Sequence, residues 1–289
     1  NDWQIGIIKS DLNKFIFSNS SYDIRWIRCN FDVYQADPFA IEKDGFLYLF
    51  YEEFIKAKEY ATIKCSIFDH NLKKIDERTI LDDGTHKSFP FIIQEDETFY
   101  LMPESGALEK LILYESSEFP FKWNKKQVIL NFACSDAILH KVNNLWYLYY
   151  TKSNQTNEND LLFMRFSNNL FCDWDNQNEY VVKNDSYNAR NAGSIYKIGD
   201  SKFRFAQNCS TQYGQSVIVN ELSTFSDEQF EETFVLEKNL SSKNNGFHTV
   251  NATEHFVFVD RRIYRTKLKS LKSIFQQLLK RVSHKNETA

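Results

Sequence analysis

A sixteen-residue unit recurs along this chain and constrains its fold more than any other feature. Its copies occupy 37–52 (DPFAIEKDGFLYLFYE), 89–104 (FPFIIQEDETFYLMPE), 136–151 (DAILHKVNNLWYLYYT) and 192–207 (AGSIYKIGDSKFRFAQ), and a shortened fifth lies at 248–260 (HTVNATEHFVFVD). Each is an apolar run, a short polar turn and an alternating, aromatic-rich run, the pattern of a two-stranded antiparallel hairpin. The units begin roughly every 50 residues, about the length of one four-stranded propeller blade. Five units therefore predict an all-β chain folded as a five-bladed β-propeller. A propeller gathers equivalent hairpin ends around one central channel, so the residues that differ at those ends become the site candidates.

Composition fits this reading. Hydrophobic content of 42% and aromatic content of 16% supply a large core, and aromatics suit strands. Four prolines and eight glycines in 289 residues leave little material for disordered linkers. We expect one propeller domain over 1–266 and a C-terminal amphipathic helix with its tail over 267–289. Two strand-like stretches near the start, 3–9 (WQIGIIK) and 24–29 (IRWIRC), precede the first hairpin, and one of them is expected to close the ring. Trp123 and Trp174 each stand before a polar turn in the outer strands, where inter-blade packing is expected.

At 267–282, Leu268, Leu271, Ile274, Phe275, Leu278, Leu279 and Val282 fall at helical spacing, with Lys269, Lys272, Lys280 and Arg281 off that stripe. Such a helix packs on a protein surface or rests on an anionic membrane. A net charge of −4 gives no support to nucleic-acid binding. Five cysteines without a paired spacing read as free thiols in a reducing, cytoplasmic setting. Gly-rich phosphate loops, HExxH and GxSxG motifs are lacking, so neither a cofactor nor a metal is expected. His86, His140 and His255 stand isolated and read as structural or exposed.

The first and last residues of each unit lie at one edge of their blade. Those ends carry Asp37 with Glu52 and Glu53, Phe89 with Glu104, Asp136 with Thr151, and Arg190 and Asn191 with Gln207. The last unit adds His248 with Asp260, Arg261 and Arg262. Strand alternation lets only one of Glu52 and Glu53 face the channel, and Glu52 aligns with Glu104. Carboxyl groups crowded around a channel raise one another's pKa, which supplies an acid or base near neutrality. Asp37, Asp136 and Glu104 are accordingly the catalytic candidates. Glu52, Arg190, Asn191, Gln207, His248, Asp260 and Arg262 are the substrate-binding candidates. The competing structural reading is a satisfied ring of salt bridges.

Several short motifs, taken together and in order over about 3–262, resemble a known family. They are 36–39 (ADPF), 52–53 (EE), 89–91 (FPF), 103–105 (PES), 136–138 (DAI), 189–193 (ARNAG), 206–210 (AQNCS) with Tyr213-Gly214, and 246–249 (GFHT). The set is similar to the N-terminal domain of plant glucosamine inositolphosphorylceramide transferases and its bacterial relatives. That domain is similar in turn to the furanosidase-type propellers of arabinanases, invertases and levansucrases. The resemblance implies a nucleophile or base at Asp37 and a geometry-fixing aspartate at Asp136. It also implies a general-acid glutamate in blade four, where this chain has Arg190, Asn191 and Gln207 instead. Glu104 from blade two is the available substitute.

A sugar activated by phosphate needs no strong acid. An arginine (Arg190, Arg261 or Arg262) facing the phosphate would suffice, with Asp37 or Glu104 deprotonating an acceptor hydroxyl. The expected function is thus a carbohydrate-active glycosyltransferase, moving a sugar from an activated donor to a glycan or lipid-linked acceptor in cell-surface polysaccharide biosynthesis. It would act in the cytoplasm, at the inner face of a membrane contacted through 267–282. The alternatives are a non-catalytic carbohydrate-binding module, since the plant relatives carry a transferase domain further along, or a furanosidase-like hydrolase.

Overall fold

The computed structural model describes residues 2–18, 21–153, 159–225, 230–240 and 246–264; the expected helix at 267–282 lies outside these. The chain opens with β1 (Asp2–Lys9), a short helix α1 (Leu12–Phe17) and β2 (Ile24–Trp26). Blade one follows as β3 (Val33–Lys43), β4 (Phe46–Ile55), β5 (Tyr60–Phe68) and β6 (Lys74–Leu81). Blade two is β7 (Ser88–Glu95), β8 (Thr98–Glu104), β9 (Leu111–Glu118) and β10 (Lys122–Leu130). Blade three is β11 (Cys134–Val142), β12 (Leu145–Lys152), β13 (Leu161–Ser167) and β14 (Tyr180–Asn184). Blade four is β15 (Tyr196–Ile198), β16 (Ser201–Asn208), β17 (Ser216–Phe225) and β18 (Phe230–Lys238). Two strands remain, β19 (Val250–Ala252) and β20 (Phe256–Ile263).

These strands form five antiparallel four-stranded sheets, and the fifth has the order β19-β20-β1-β2. The first strand of the chain therefore completes the last blade. Eight consecutive pairs, from Asp2↔Ile263 to Lys9↔Phe256, lock that closure. Of the two strand-like stretches at the start, the earlier one makes this bond and the later one becomes the outer edge.

Aromatic side chains fill the wedges between blades, as expected of large rings. Phe39 of blade one meets Phe89 and Phe91 of blade two at 4.9 and 5.9 Å between centroids. Trp123 lies 6.1 Å from Phe50 of blade one, and the fully buried Trp174 sits in a turn that packs on β10. Helix α1 has no counterpart in the repeat. Asp11 caps it by accepting the Lys14 amide at 2.7 Å, and Leu12, Phe15 and Ile16 are its buried face, a signature that was present in the sequence.

One backbone device repeats at the head of the inner hairpins. Asp37, Phe89 and Asp136 all take left-handed conformations, with φ of 52°, 43° and 49°. Each sits at a register shift, between Ala36 and Phe39, Ser88 and Phe91, and Ser135 and Ile138. These are β-bulges, which bend a strand and re-aim a side chain.

The fourth unit departs from this plan. Its first strand is reduced to a lone Asn191↔Ala206 bridge and the three residues of β15. Gly193, at φ 148°, passes so close to blade five that a Cβ there would lie 2.0 Å from the Val250 carbonyl oxygen. Gly193→Ala is expected to lower stability by about 3 kcal/mol or more, since backbone strain and a clash with main chain combine. The urea midpoint, read with the slope held constant, measures it.

Candidate active site

The bulges turn Asp37 and Asp136 toward the propeller axis, where a cavity of 190 Å³ opens at the hairpin-end face. Its walls are Trp3, Tyr34, Asp37, Glu52, His86, Ser88, Glu104, Asp136, Arg190, Tyr213 and His248. The structure thus brings together six of the residues singled out in the sequence. Asn191 and Gln207 lie behind Asp136, and Asp260 lies behind His248. Arg262 is set apart, bonding the Gln212 side chain and the Tyr213 carbonyl and lying over Trp3.

Blades five and one build one half of the site. Asp260 is fully buried and accepts the amides of His248 and Thr249 at 3.1 Å each and that of Asp37 at 3.2 Å. Its carboxylate also stands 2.7 Å from His248 Nδ1. With so many donors on one carboxylate, Nδ1 carries a proton and Nε2 faces Asp37 Oδ1 at 3.4 Å. Burial works against a charged imidazole here, but the Asp260 and Asp37 carboxylates prevail and raise its pKa above the ordinary histidine value. Trp3 stacks on the ring at 3.8 Å and 13°, and Tyr213 meets it edge-on at 5.4 Å. Gly214, at φ 59°, allows that approach, because a Cβ would stand 2.7 Å from His248 Cβ.

Asp37 itself accepts the Thr249 hydroxyl at 3.0 Å and the Phe89 amide at 3.1 Å. Burial lifts its pKa, His248 pulls it back, and Asp260 and Asp136 push it up again. Glu52 is raised further, by burial and by its hydrogen bond and repulsion with Asp37. Two adjacent carboxyl groups cannot both ionise cheaply, and Glu52 is the member pushed well above the ordinary carboxylate range. The other acid of that dipeptide, Glu53, faces away and holds Gln35 at 2.9 Å and Lys64 at 3.3 Å.

Blades two, three and four build the other half. Arg190 Nε bonds Asp136 directly, and Gln207 Nε2 reaches the same oxygen at 2.8 Å. Asn191 holds the Asp136 carbonyl at 2.9 Å. Glu104 accepts the Asp136 amide at 3.3 Å and the Ser135 hydroxyl at 3.2 Å. Burial and the nearby Asp136 raise Glu104 to about 8, with Arg190 opposing. Glu104 is therefore a protonated carboxyl at neutral pH.

Asp37, His248 and Asp260 offer ligand atoms within 4.8 Å of one another, the spacing of a metal site. The donor set fits a protonated imidazole better. Asp260 is already saturated by N–H donors, and His248 Nδ1 is one of them.

Two expectations gain detail. The arginines proposed to meet a phosphate are bonded within the protein: Arg190 to Asp136 and Asn159, Arg261 to Gln4 and stacked on Trp26, and Arg262 as described. His86, read as structural or exposed, lines the cavity. Its Nδ1 accepts the Ala61 amide at 3.2 Å and Nε2 lies 3.9 Å from Glu52. Trp3, Tyr34, Ser88 and Tyr213 also escaped the sequence reading as site residues: Ser88 pairs with Glu104 at a hairpin end but precedes the repeat unit, and the other three lie outside the units.

Residues 25–266 match the family model of the N-terminal domain of glucosamine inositolphosphorylceramide transferase 1. The chain belongs to that family. It is 29% identical over 224 residues to glucosamine inositolphosphorylceramide transferase 1 of Arabidopsis thaliana, covering 73% of this chain and 28% of that protein. It is 27% identical over 208 residues to the protein of the same name from Oryza sativa subsp. indica, covering 68% of this chain and 27% of that one. The family chain described here thus spans little more than a quarter of these relatives. Among solved structures, the catalytic domain of a Coprinopsis cinerea GH62 α-L-arabinofuranosidase matches with a TM-score of 0.55 at 11% identity, over 68% of this chain and 67% of that one. A family 117 glycoside hydrolase of Zobellia galactanivorans matches with a TM-score of 0.55 at 9% identity, over 90% of each chain. These likenesses establish the five-bladed fold.

The pKa of Glu104 has a measurable consequence. Between its ordinary 4.5 and about 8, the folded chain keeps a proton that the unfolded chain has released. Stability from this group therefore falls as pH rises through that window and levels off above it. Glu104→Gln should remove this group's share of the slope, leaving the variant more stable relative to the parent at pH 9 than at pH 5. Urea midpoints at the two pH values test this.

Proposed function

We propose that this propeller seats one amino-sugar ring in its axial cavity and transfers it to a hydroxyl of a glycan or glycolipid acceptor. The observation that carries the reading is the balance of charge in the site. Five carboxyl groups (Asp37, Glu52, Glu104, Asp136, Asp260) surround two cations, Arg190 and His248. Buried charge without a partner is expensive, so protons reside on Glu52 and Glu104 and one negative charge remains. The stored protons serve chemistry. Glu104 donates to the departing oxygen as the sugar carbon–oxygen bond breaks, and Asp37, anionic beside His248, removes the proton of the acceptor hydroxyl whose oxygen forms the new bond. The residual negative charge suits an ammonium group on the sugar, and the names of the relatives, which include glucosamine, support that choice.

The bonded state of all three arginines favours a leaving oxygen that needs a proton over one already stabilised as phosphate. The basic amphipathic pattern at 267–282 supports an acceptor presented at an anionic membrane surface on the cytoplasmic side. The full chain should then sediment with anionic vesicles more than a chain ending at Thr266, with the difference shrinking as salt rises.

Titration with sugars tests the central reading. Glucosamine should bind at least roughly ten-fold more tightly than glucose or N-acetylglucosamine, one charge–charge contact being worth about that much. Asp37→Asn should lower transfer by about 10²–10⁴-fold while keeping the fold, because asparagine retains an oxygen for the Phe89 amide. A second reading, a carbohydrate-binding module, is favoured by the small share of the relatives that this chain spans. Glucosamine binding with transfer untouched by both Asp37→Asn and Glu104→Gln would select it. Release of free sugar from a simple furanoside would select a hydrolase instead.

A further inference from the structure

The axial cavity is small. At 190 Å³ it falls below the roughly 300–1,000 Å³ usual for ligand pockets, so it holds one ring. Any ring linked to the first must lie at the mouth, and the mouth is not uniform. On the side of blades four and five it is roofed by Tyr213, which stands over Arg190 at 4.9 Å and against His248.

The side of blades one and two is built differently. Tyr34 and Phe54 are cross-strand partners on β3 and β4, and their rings lie parallel at 4.8 Å and 4°. Side chains two apart on a strand share a face. Phe54 therefore follows Glu52 on the face turned to the axis, about 7 Å further out toward solvent. That step is close to the width of a sugar ring. His86 completes the wall, its ring 6.0 Å from Phe54 and its side chain 38% exposed. The Ala61 amide occupies Nδ1, which fixes the proton on Nε2 and makes that nitrogen a donor directed at the cavity edge. Burial and Lys87 hold its pKa below the ordinary histidine value, so the imidazole is neutral. The Tyr34 hydroxyl likewise stays protonated, pushed up by burial and by Glu52 and Asp37.

An apolar aromatic face with fixed neutral donors at its edge is the chemistry that takes a cyclic polyol: ring C–H groups lie on the aromatics and hydroxyls accept from the donors. We propose that Tyr34, Phe54 and His86 form a second, uncharged-ring subsite that receives the sugar or other cyclic polyol joined to the ring in the axial cavity. This rests on the proposed function, since it presumes that a sugar fills the cavity.

The test titrates the full chain with glucosamine and with glucosamine disaccharides linked 1→4 and 1→6. At least one disaccharide should bind about ten-fold more tightly than the monosaccharide. Phe54→Ala should abolish that advantage and leave glucosamine affinity within two-fold of the parent; Phe54→Leu, which keeps the volume, serves the same end if the alanine variant misfolds. Histidine ¹⁵N spectra provide a second readout: His86 should show a protonated Nε2 and should shift with the disaccharide and not with glucosamine. Equal binding of mono- and disaccharides by the parent chain, or an advantage that survives both Phe54 variants, overturns the subsite while leaving the sugar reading intact. Failure of every sugar to bind overturns the proposed function, and the subsite falls with it.

Discussion

Three hydrogen bonds from backbone amides to side-chain carboxyl groups hold the axis of this propeller together. The amide of Asp37 is accepted by Asp260, that of Phe89 by Asp37, and that of Asp136 by Glu104. In each case the amide belongs to a left-handed bulge residue and the acceptor to the preceding blade. A left-handed conformation at a non-glycine residue costs on the order of 1–3 kcal/mol, and a buried amide without a partner costs a similar amount. One carboxyl group per seam offsets both and fixes the relative position of two blades. The bulge then aims its own side chain at the channel. Blade packing and site geometry thus depend on the same bonds.

Blade two separates the two roles of the bulge position. Phe89 occupies the place held by Asp37 and Asp136, adopts the same backbone, and is buried against Phe39. An aspartate is therefore not required for the bulge to form, and for a bulky residue it is the harder conformation. The aspartates of blades one and three are explained by where their carboxylates go. Asp136 meets Arg190 and Gln207 on its Oδ2, and Asp37 meets His248, Thr249 and Glu52. Arg190 is matched to Asp136 and His248 to Asp37 and Asp260, and the glutamates next to them are pushed toward their neutral forms. Such a site is poised to give and take protons near neutrality.

Much of this was legible in the sequence. The repeat gave the blades because strand alternation and turn spacing are local properties. The opposite directions of Glu52 and Glu53 followed from the two-residue period alone. What stayed hidden comes from places with no position in the repeat. Trp3 reaches His248 only because β1 closes the ring, Tyr213 hangs from the loop between β16 and β17, and His86 precedes a hairpin. Arg262 misled for a related reason. It shares a face with Asp260, two residues earlier, but the strand has by then climbed past the cavity, and its guanidinium braces Trp3 and the Tyr213 carbonyl. The fourth unit shows the limit of reading by alignment: its spacing is intact, yet Gly193 and the short β15 let Arg190 and Asn191 reach Asp136 from outside a regular strand.

Ring closure and site assembly are consequently one event. The closing strand pairs with β20 over eight residues, and its second residue, Trp3, supplies the indole on which His248 lies. Until β1 is in place His248 lacks its stacked face, and β20, the strand that carries Asp260, lacks its outer neighbour. The protonated imidazole beside Asp37 is sustained by Asp260 and Asp37 against the cost of burial, a balance that holds only once water is excluded from the seam. Closing the propeller therefore sets the charge state of its centre. An open ring would leave His248 and Asp37 as ordinary solvated groups, with no burial or repulsion to push Glu52 toward its neutral form. The electrostatics on which the proposed chemistry depends belong to the closed circle of blades, and to no single blade within it.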